Sequence, residues 1–418
     1  MAEADRLFEC IVLGATGYTG KYTAEHIARQ LPTDFKWAVA GRNSSKLEQL
    51  VNELQASHPD RSPPSIEVAN LQKSELVALA KKTKVLISTV GPYHLYGSVV
   101  FEACAETGTH YLDVTGETPW VYDMINKYHE TAKRSGAIMI PQNGVESAPP
   151  DLLCWSLVSY LRSTLNVGTG ELVQSIYDMS AAPSGGTLAT VLTIFDTYSI
   201  SQFMKAKERW SMSTVAPPVE AKNHPGKSIG EQLTGVRYVK DLGCMTDSLQ
   251  GAADTTLIHR SWSLYDGGKF YGPNFRVESY MRARNAFLGF FFHVSLAIGL
   301  LALALPPFRW LMKHLVYAPG QGPEKEEASK GHTEWRAIAN ADVSDPNDPK
   351  RAYARMRWEG SLYDLTGVCL AEAALTLARD NTLAHQIGGG VMTPATLGEA
   401  YMARLQKAGL KTEIKMLP

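Results

Sequence analysis

The chain has 418 residues, 44% of them hydrophobic and 20% charged, and its 41 Lys and Arg against 42 Asp and Glu leave a formal net charge of −1. That composition is globular, and roughly 150 residues per domain gives two or three domains, enough to bury a core without disulfides or structural metal. The balanced charge excludes a general nucleic-acid binder, which neutralises phosphates with an excess of Lys and Arg, so any anion site is local.

Five cysteines (Cys10, Cys104, Cys154, Cys244 and Cys369) form no CxxC pair, and none of the 11 His residues stands in an HxxxH or HxxEH pattern. A metal is therefore not expected. The first residues lack a basic stretch followed by an apolar core, the signature of a cleaved signal. The bulk of the protein is expected to face a reducing, cytosol-like phase.

From Phe8 to Pro141, short β-branched runs alternate with amphipathic stretches, the pattern of βαβ units and a doubly wound parallel sheet. Strands are predicted at Phe8–Leu13, Lys36–Ala40, Ser65–Ala69, Val85–Thr89, His110–Leu112 and Ala137–Ile140. Helices are predicted at Tyr18–Leu31, Ser45–Ala56, Gly97–Thr107 and Val121–Ser135. This is a Rossmann-type domain over residues 1–150.

The turn Gly14-Ala15-Thr16-Gly17-Tyr18-Thr19-Gly20 joins the first strand to the first helix. Glycines permit the tight turn and the close approach of backbone N–H groups to a pyrophosphate, while the helix start adds its positive dipole end. An empty glycine turn that only packs is the plainer reading, and the strand–glycine–helix context favours a dinucleotide. The second strand ends at Arg42-Asn43, where an NAD site carries an acid for the ribose 2′-hydroxyl. An arginine there suits a 2′-phosphate, which favours NADP(H); Lys46 would add a second cation. Thr89, Gly91 and Pro92 follow the fourth strand at the ligand-binding end of the sheet, and their small size suits backbone contact with the cofactor.

Hydride chemistry also needs a proton donor or an oxyanion partner. Tyr93 is the first candidate, since a phenol can hydrogen-bond and protonate a developing enolate or alkoxide; an aromatic at a helix start also simply packs. Asp113 and Glu117, after the fifth strand, read as acids that hold a ribose, orient a donor or cap the next helix, with Glu117 as a first-turn acid. Asn143, Glu146 and Asp151 follow the sixth strand, Asn143 suiting a carboxamide and equally a turn. Ser184-Gly185-Gly186-Thr187 opens a helix and offers Gly186 and Thr187 as an oxyanion-binding turn, or only a flexible turn with a cap.

After Asp151, strand-like runs dominate: Glu171–Ala182, Thr256–Tyr265, Lys269–Met281, Thr333–Asp342 and Ala352–Glu359. They predict an α+β, mostly antiparallel substrate domain over residues 151–418. Helical patterns near Thr187–Lys207 and Tyr363–Arg379 would cover one face, and a last one over 394–407 would return toward the first domain. Within this half, 285–317 is an apolar insertion. No formal charge lies between Arg284 and Arg309, and a helix from Ala286 to Leu305 would reach roughly 30 Å, the thickness of a bilayer core. Strand-like segments flank it on both sides, so a single crossing would split one sheet. A monotopic insertion bent near Pro306-Pro307, with Arg282, Arg284, Arg309 and Lys313 at one anionic surface, avoids this; a buried core helix or a homodimer contact is the alternative.

The glycine turn, together with Tyr111-Leu-Asp-Val-Thr-Gly-Glu117, Asn143-Gly-Val-Glu-Ser-Ala-Pro-Pro-Asp151, Ser184–Thr187 and Gly390-Val-Met-Thr-Pro394, resembles the saccharopine dehydrogenase-like oxidoreductase family. The spacing of Gly14, Gly17 and Gly20 is similar to the branch with the mycobacterial trans-acting enoyl reductase and animal membrane-associated homologues. The resemblance implies an NADP-type Rossmann domain joined to an α+β substrate domain and a redox reaction whose substrate varies between branches. The glycine turn and Arg42 beside the apolar segment lead to the expectation of a small apolar or lipid substrate and of a cytosol-facing place on a membrane or lipid droplet, the endoplasmic reticulum or the mitochondrial outer surface. Two other readings stay open: a catalytically silent NADP-binding scaffold on a membrane, and a saccharopine-type amino-acid dehydrogenase.

Overall fold

The computed structural model describes residues 6–180, 185–217, 226–312, 325–343 and 349–418. Its first half alternates as the sequence predicts: β1 (Phe8–Leu13), α1 (Tyr18–Gln30), β2 (Trp37–Gly41), α2 (Ser44–Ser57), β3 (Ser65–Val68), α3 (Lys73–Ala80), β4 (Thr83–Ser88), α4 (Tyr93–Thr107), β5 (His110–Asp113), α5 (Thr118–Ser135) and β6 (Ile138–Ile140). The strands pair in parallel in the order β3-β2-β1-β4-β5-β6, which puts the reversal of strand order beside β1, where such sheets bind ligands. Alternate residues of β1 enter two cores, Cys10 and Val12 on one face and Ile11 and Leu13 on the other. Burial on both faces explains why these strands read as continuous apolar runs.

The second half opens with α6 (Ala148–Leu165) and continues through β7 (Thr169–Ser180), α7 (Gly185–Thr197), α8 (Ile200–Ala206), α9 (Ile229–Thr234), β8 (Val236–Val239), β9 (Gly243–Asp247), α10 (Gly251–Leu264) and β10 (Arg276–Arg282). After the apolar segment come α11 (Ala286–Ala304), α12 (Pro306–Met312), α13 (Lys325–Ala328), β11 (His332–Ala341), β12 (Arg351–Glu359), α14 (Leu362–Arg379), α15 (Leu383–Ile387), β13 (Gly390–Val391), α16 (Gly398–Lys407) and β14 (Lys411–Leu417). The second sheet runs β14-β12-β11-β7-β10-β9-β8 and is antiparallel except for the β7–β10 pair. On β12, Ala352, Ala354, Met356 and Trp358 point into the core while Arg355 and Arg357 face outward.

Two predicted elements differ. Thr256–Tyr265 lies in the helix α10, not in a strand; residues Asp254–Ser263 are buried, so the helix lacks the polar stripe that marks a surface helix and its Thr and Ile content mimics a strand. Lys269–Met281 is a strand only from Arg276. The return to the first domain is made by β13 and α14, and α16 also reaches it through Tyr401 against Asn143. β13 adds a seventh parallel strand beside β6. α14 lies against α1, where Gly367 permits an approach so close that a methyl group on it would stand 2.7 Å from the Tyr22 backbone. Buried His26 and Glu372 join the same two helices at 2.9 Å.

The apolar segment folds as one helix with two environments. Asn285 caps α11 by accepting from the Leu288 N–H, and its first turns dock on β9 through a hydrogen bond from Thr246 Oγ1 to the Gly289 carbonyl (2.9 Å) and a His293–Asp247 contact of 2.6 Å. Away from these contacts its large side chains face out, both alongside the anchor and after it: Phe291 is 64% exposed and Leu301 71%. The stretch Ala286–Leu303 is long and apolar enough to cross a membrane. The chain then turns back at once, because Arg309 of α12 is buried and bonds Asp196 of α7 at 2.8 Å and the Leu303 carbonyl at 2.8 Å. β10 before the segment and β11 after it both pair with β7, so both flanks belong to one sheet.

Candidate functional site

The glycine turn is shaped for close approach. Gly14 has φ +85°, and a Cβ there would stand 2.8 Å from Thr89 Oγ1 and 2.9 Å from Val90, so only glycine fits between β1 and the end of β4. A Cβ on Gly20 would stand 2.3 Å from the Gly14 carbonyl oxygen. Gly17 occupies the N-cap of α1 without a side-chain cap, leaving the dipole end of the helix open to an anion. Thr89 braces the turn by donating its hydroxyl to the Leu13 and Gly14 carbonyls, both at 3.1 Å. Thr16 lies half-buried within the turn. Tyr18, by contrast, packs edge-on against Tyr363 of α14 at 4.8 Å, a contact between the two halves of the chain.

Arg42 is exposed at the end of β2 and has no hydrogen-bond or ion-pair partner among the described residues. Asn43 caps α2 by accepting from the Lys46 N–H at 3.0 Å. An unengaged guanidinium, an open helix start and a cradle that any Cβ would fill fit a dinucleotide carrying a 2′-phosphate.

After Gly91, which is exposed, and Pro92, which caps α4, the chain enters a tight corner. Tyr93 is buried; its hydroxyl donates to the Ser88 carbonyl at 2.9 Å and accepts from the Val114 N–H at 3.4 Å. Burial, with Asp113 nearby, pushes this phenol well above its usual range. The structure thus gives Tyr93 the task of joining the ends of β4 and β5. Glu117 is equally engaged: its carboxylate accepts from the N–H groups of Tyr93 and His94, each at 2.7 Å, and lies 2.6 Å from His94 Nδ1. It caps α4, although the sequence places it after β5 as a ribose ligand or a first-turn acid of α5.

His94 escapes sequence reasoning. Its side chain is fully enclosed, and Nε2 is buried without a partner among the described residues. The available signal is a His directly after Gly-Pro-Tyr and an acid just before Thr118-Pro119, but their pairing depends on β5 lying beside β4. The Thr190 hydroxyl of α7 reaches the same carboxylate at 3.5 Å, which brings the second half of the chain to this corner. Gly186 and Thr187 lie in the first turn of α7; Ser184 and the Thr187 side chain are outside the described residues.

Acids crowd the same strand ends. Asp113 accepts from the Thr115 and Gln142 N–H groups and from Tyr111, and burial nonetheless raises it to about 7. Asp151 accepts from Ser261 and the Ala395 N–H and is raised by burial to about 7. Burial also raises Glu146, and raises Asp254 well above the carboxylate range, with Glu146 and Asp151 adding to the latter. Asn143 donates to the Cys369 carbonyl and accepts from Tyr401, so it ties β6 to α14 and α16. No group of three or more His, Cys, Asp or Glu placed to hold a metal ion occurs among the described residues.

Residues 10–140 match the family described as the saccharopine dehydrogenase NADP binding domain, and they form the NADP-binding domain of this chain. Along its whole length the chain is 29% identical to a protein named putative trans-acting enoyl reductase from Mycobacterium tuberculosis, covering 100% of both. It is 28% identical to a trans-acting enoyl reductase from Mycobacterium bovis over 98% of each. Among solved structures, an apo saccharopine dehydrogenase (L-Glu forming) from Saccharomyces cerevisiae shares the fold, with a TM-score of 0.55 at 12% identity over 98% of this chain and 99% of that one.

Proposed function

We propose that this saccharopine dehydrogenase-like, NADP(H)-dependent oxidoreductase reduces an apolar lipid, enoyl or carbonyl, at the surface of a membrane or lipid droplet. The observation that carries the reading is α7, which reaches Glu117 through Thr190 in its middle and holds Arg309 of α12, directly after the apolar helix, through Asp196 in its last turn. The relatives named enoyl reductase, matched along the full chain, favour an enoyl lipid.

When bound, the cofactor supplies a hydride; the chain binds it, excludes water and meets the charge left on the substrate. Gly14, Gly17 and Gly20 would hold the pyrophosphate and Arg42 the 2′-phosphate, with Thr16, Thr89, Gly91 and Pro92 along the same edge. The corner of Tyr93 and Glu117 and the turn at Gly186 and Thr187 would surround the reacting atoms.

The exposed face of α11 would lie in one leaflet. Since β10 and β11 share a sheet and α12 returns directly to α7, an in-plane insertion keeps the fold intact. Each large side chain taken from water contributes about 1.5–3 kcal/mol. Arg282 and Arg284 at its start suit an anionic surface.

The test is NADPH oxidation by the purified protein with a long-chain trans-enoyl thioester in phosphatidylcholine–phosphatidylserine vesicles. Binding of NADPH in preference to NADH, co-flotation with the vesicles and appearance of the saturated acyl group are expected. Binding without oxidation of NADPH across a panel of enoyl and carbonyl lipids would overturn the catalytic reading.

A further inference from the structure

The corner at the start of α4 contains a group to which nothing described so far gives a chemical role. Glu117 fixes His94 by one ring nitrogen, with Nδ1 at 2.6 Å from Oε2, while the same carboxylate is anchored by the Tyr93 and His94 N–H groups at 2.7 Å. A carboxylate holding three N–H donors cannot swing away, so the ring orientation is set by the backbone. The opposite nitrogen, Nε2, is buried and has no partner among the described residues. An orphaned polar atom in a core is destabilising, and such atoms call for an explanation such as a catalytic role. The pair stands at the carboxyl ends of β4 and β5, where a doubly wound sheet presents its ligand, and Thr190 of α7 closes over it.

From this geometry we infer that His94 is the proton donor of the reaction and Glu117 its positioning residue. The inference rests on the reading of the chain as a reductase of a conjugated lipid. A hydride from the nicotinamide forms the new C–H bond at the β-carbon, and the alkene electron pair moves toward the carbonyl to give an enolate. The proton on His94 Nε2 then forms the α C–H bond, the N–H electrons return to the ring, and His94 recovers a proton from a water that takes the place of the departed product. The net change is one hydride and one proton added across the double bond. Tyr93, whose hydroxyl already donates to Ser88, holds the corner together instead of donating.

His94→Asn is the informative variant, because its amide keeps a donor for Glu117 while removing the proton-exchanging Nε2; His94→Gln serves if the first fails to fold. General acid catalysis contributes about 10²–10⁴-fold, so kcat with the long-chain trans-enoyl thioester should fall at least about 100-fold, with NADPH affinity within about threefold of wild type. A second readout needs no cofactor: the wild-type protein should exchange the α-hydrogen of the saturated thioester with D2O, by the reverse proton transfer, and the variant should not. If both variants fold, bind NADPH and retain turnover and exchange, the assignment is overturned while the reductase reading stands. If the wild type neither consumes NADPH with enoyl lipids nor exchanges the α-hydrogen, both fall.

Discussion

The two seven-stranded sheets solve the problem of polar backbone in opposite ways. The first is parallel throughout and buries both faces under helices, so its backbone meets a ligand only at the strand ends; there the glycine turn, Arg42 and the His94–Glu117 pair gather. The second is almost wholly antiparallel and packs α6 and the core against one face. Its other face carries a polar cluster in which Glu334, 2% exposed, holds Arg336 at 2.6 Å, Arg355 at 2.6 Å and Arg357 at 3.0 Å. The chemistry of the first sheet is therefore concentrated at one edge, whereas the second half contributes through appendages: α7, which reaches Glu117, and α11, whose large apolar side chains are exposed. Substitutions at the edge should change cofactor binding, and substitutions on the appendages should change where the protein resides.

The largest expected effect lies on the appendage. Replacing Phe287, Phe291 and Leu301 together by Ser removes three exposed apolar side chains worth about 1.5–3 kcal/mol each on insertion, so vesicle partitioning should fall about 10³-fold in flotation assays with NADPH affinity unchanged. At the edge, Gly14→Ala must accommodate both a left-handed φ and a 2.8 Å contact; at about 1–3 kcal/mol for backbone strain plus the overlap, NADPH binding by fluorescence titration should weaken about 100-fold. Arg42→Ala removes charge-assisted hydrogen bonds worth about 1.5–3 kcal/mol, a loss of about 10- to 100-fold for NADPH and none for NADH. Equal loss for both cofactors would dissociate Arg42 from the 2′-phosphate.

The smallest effect belongs to Asp151, between the two halves. Burial raises its carboxyl from the ordinary aspartate range to about 7 in the fold, so the stability tied to its protonation is complete below pH 4 and declines as pH rises through 7. Asp151→Asn abolishes that decline. In urea titrations the variant should gain on the order of 1–2 kcal/mol relative to wild type between pH 5 and pH 8. A constant difference across that range would show that Asp151 ionises as freely in the fold as in the unfolded chain.

The first sheet was legible in the sequence almost strand by strand, because fully buried parallel strands advertise themselves as apolar runs between glycine turns. The glycine turn was legible for the same local reason: Gly14, Gly17 and Gly20 lie on one turn between the first strand and the first helix, and Arg42 directly follows the second strand. What could not be read depended on contacts between distant segments. α10 hid its helical nature by being buried almost all round, and the two-residue β13 has no periodicity to read. His94 and Glu117 became a pair only when β4 and β5 were set side by side. Tyr93, read as a donor from its position, turned inward because the Ser88 carbonyl beneath it needed a partner.

β13 carries a further implication for how the molecule is made. The sheet that grips the cofactor receives its last strand, Gly390–Val391, only after most of the second half has been synthesised. The pairing with Ile138 and Met139 spans some 250 positions of sequence, the kind of distant closure that slows folding and leaves a strand edge exposed meanwhile. During synthesis the β6 edge waits open, and the cofactor domain, although translated first, is completed only near the end of the chain.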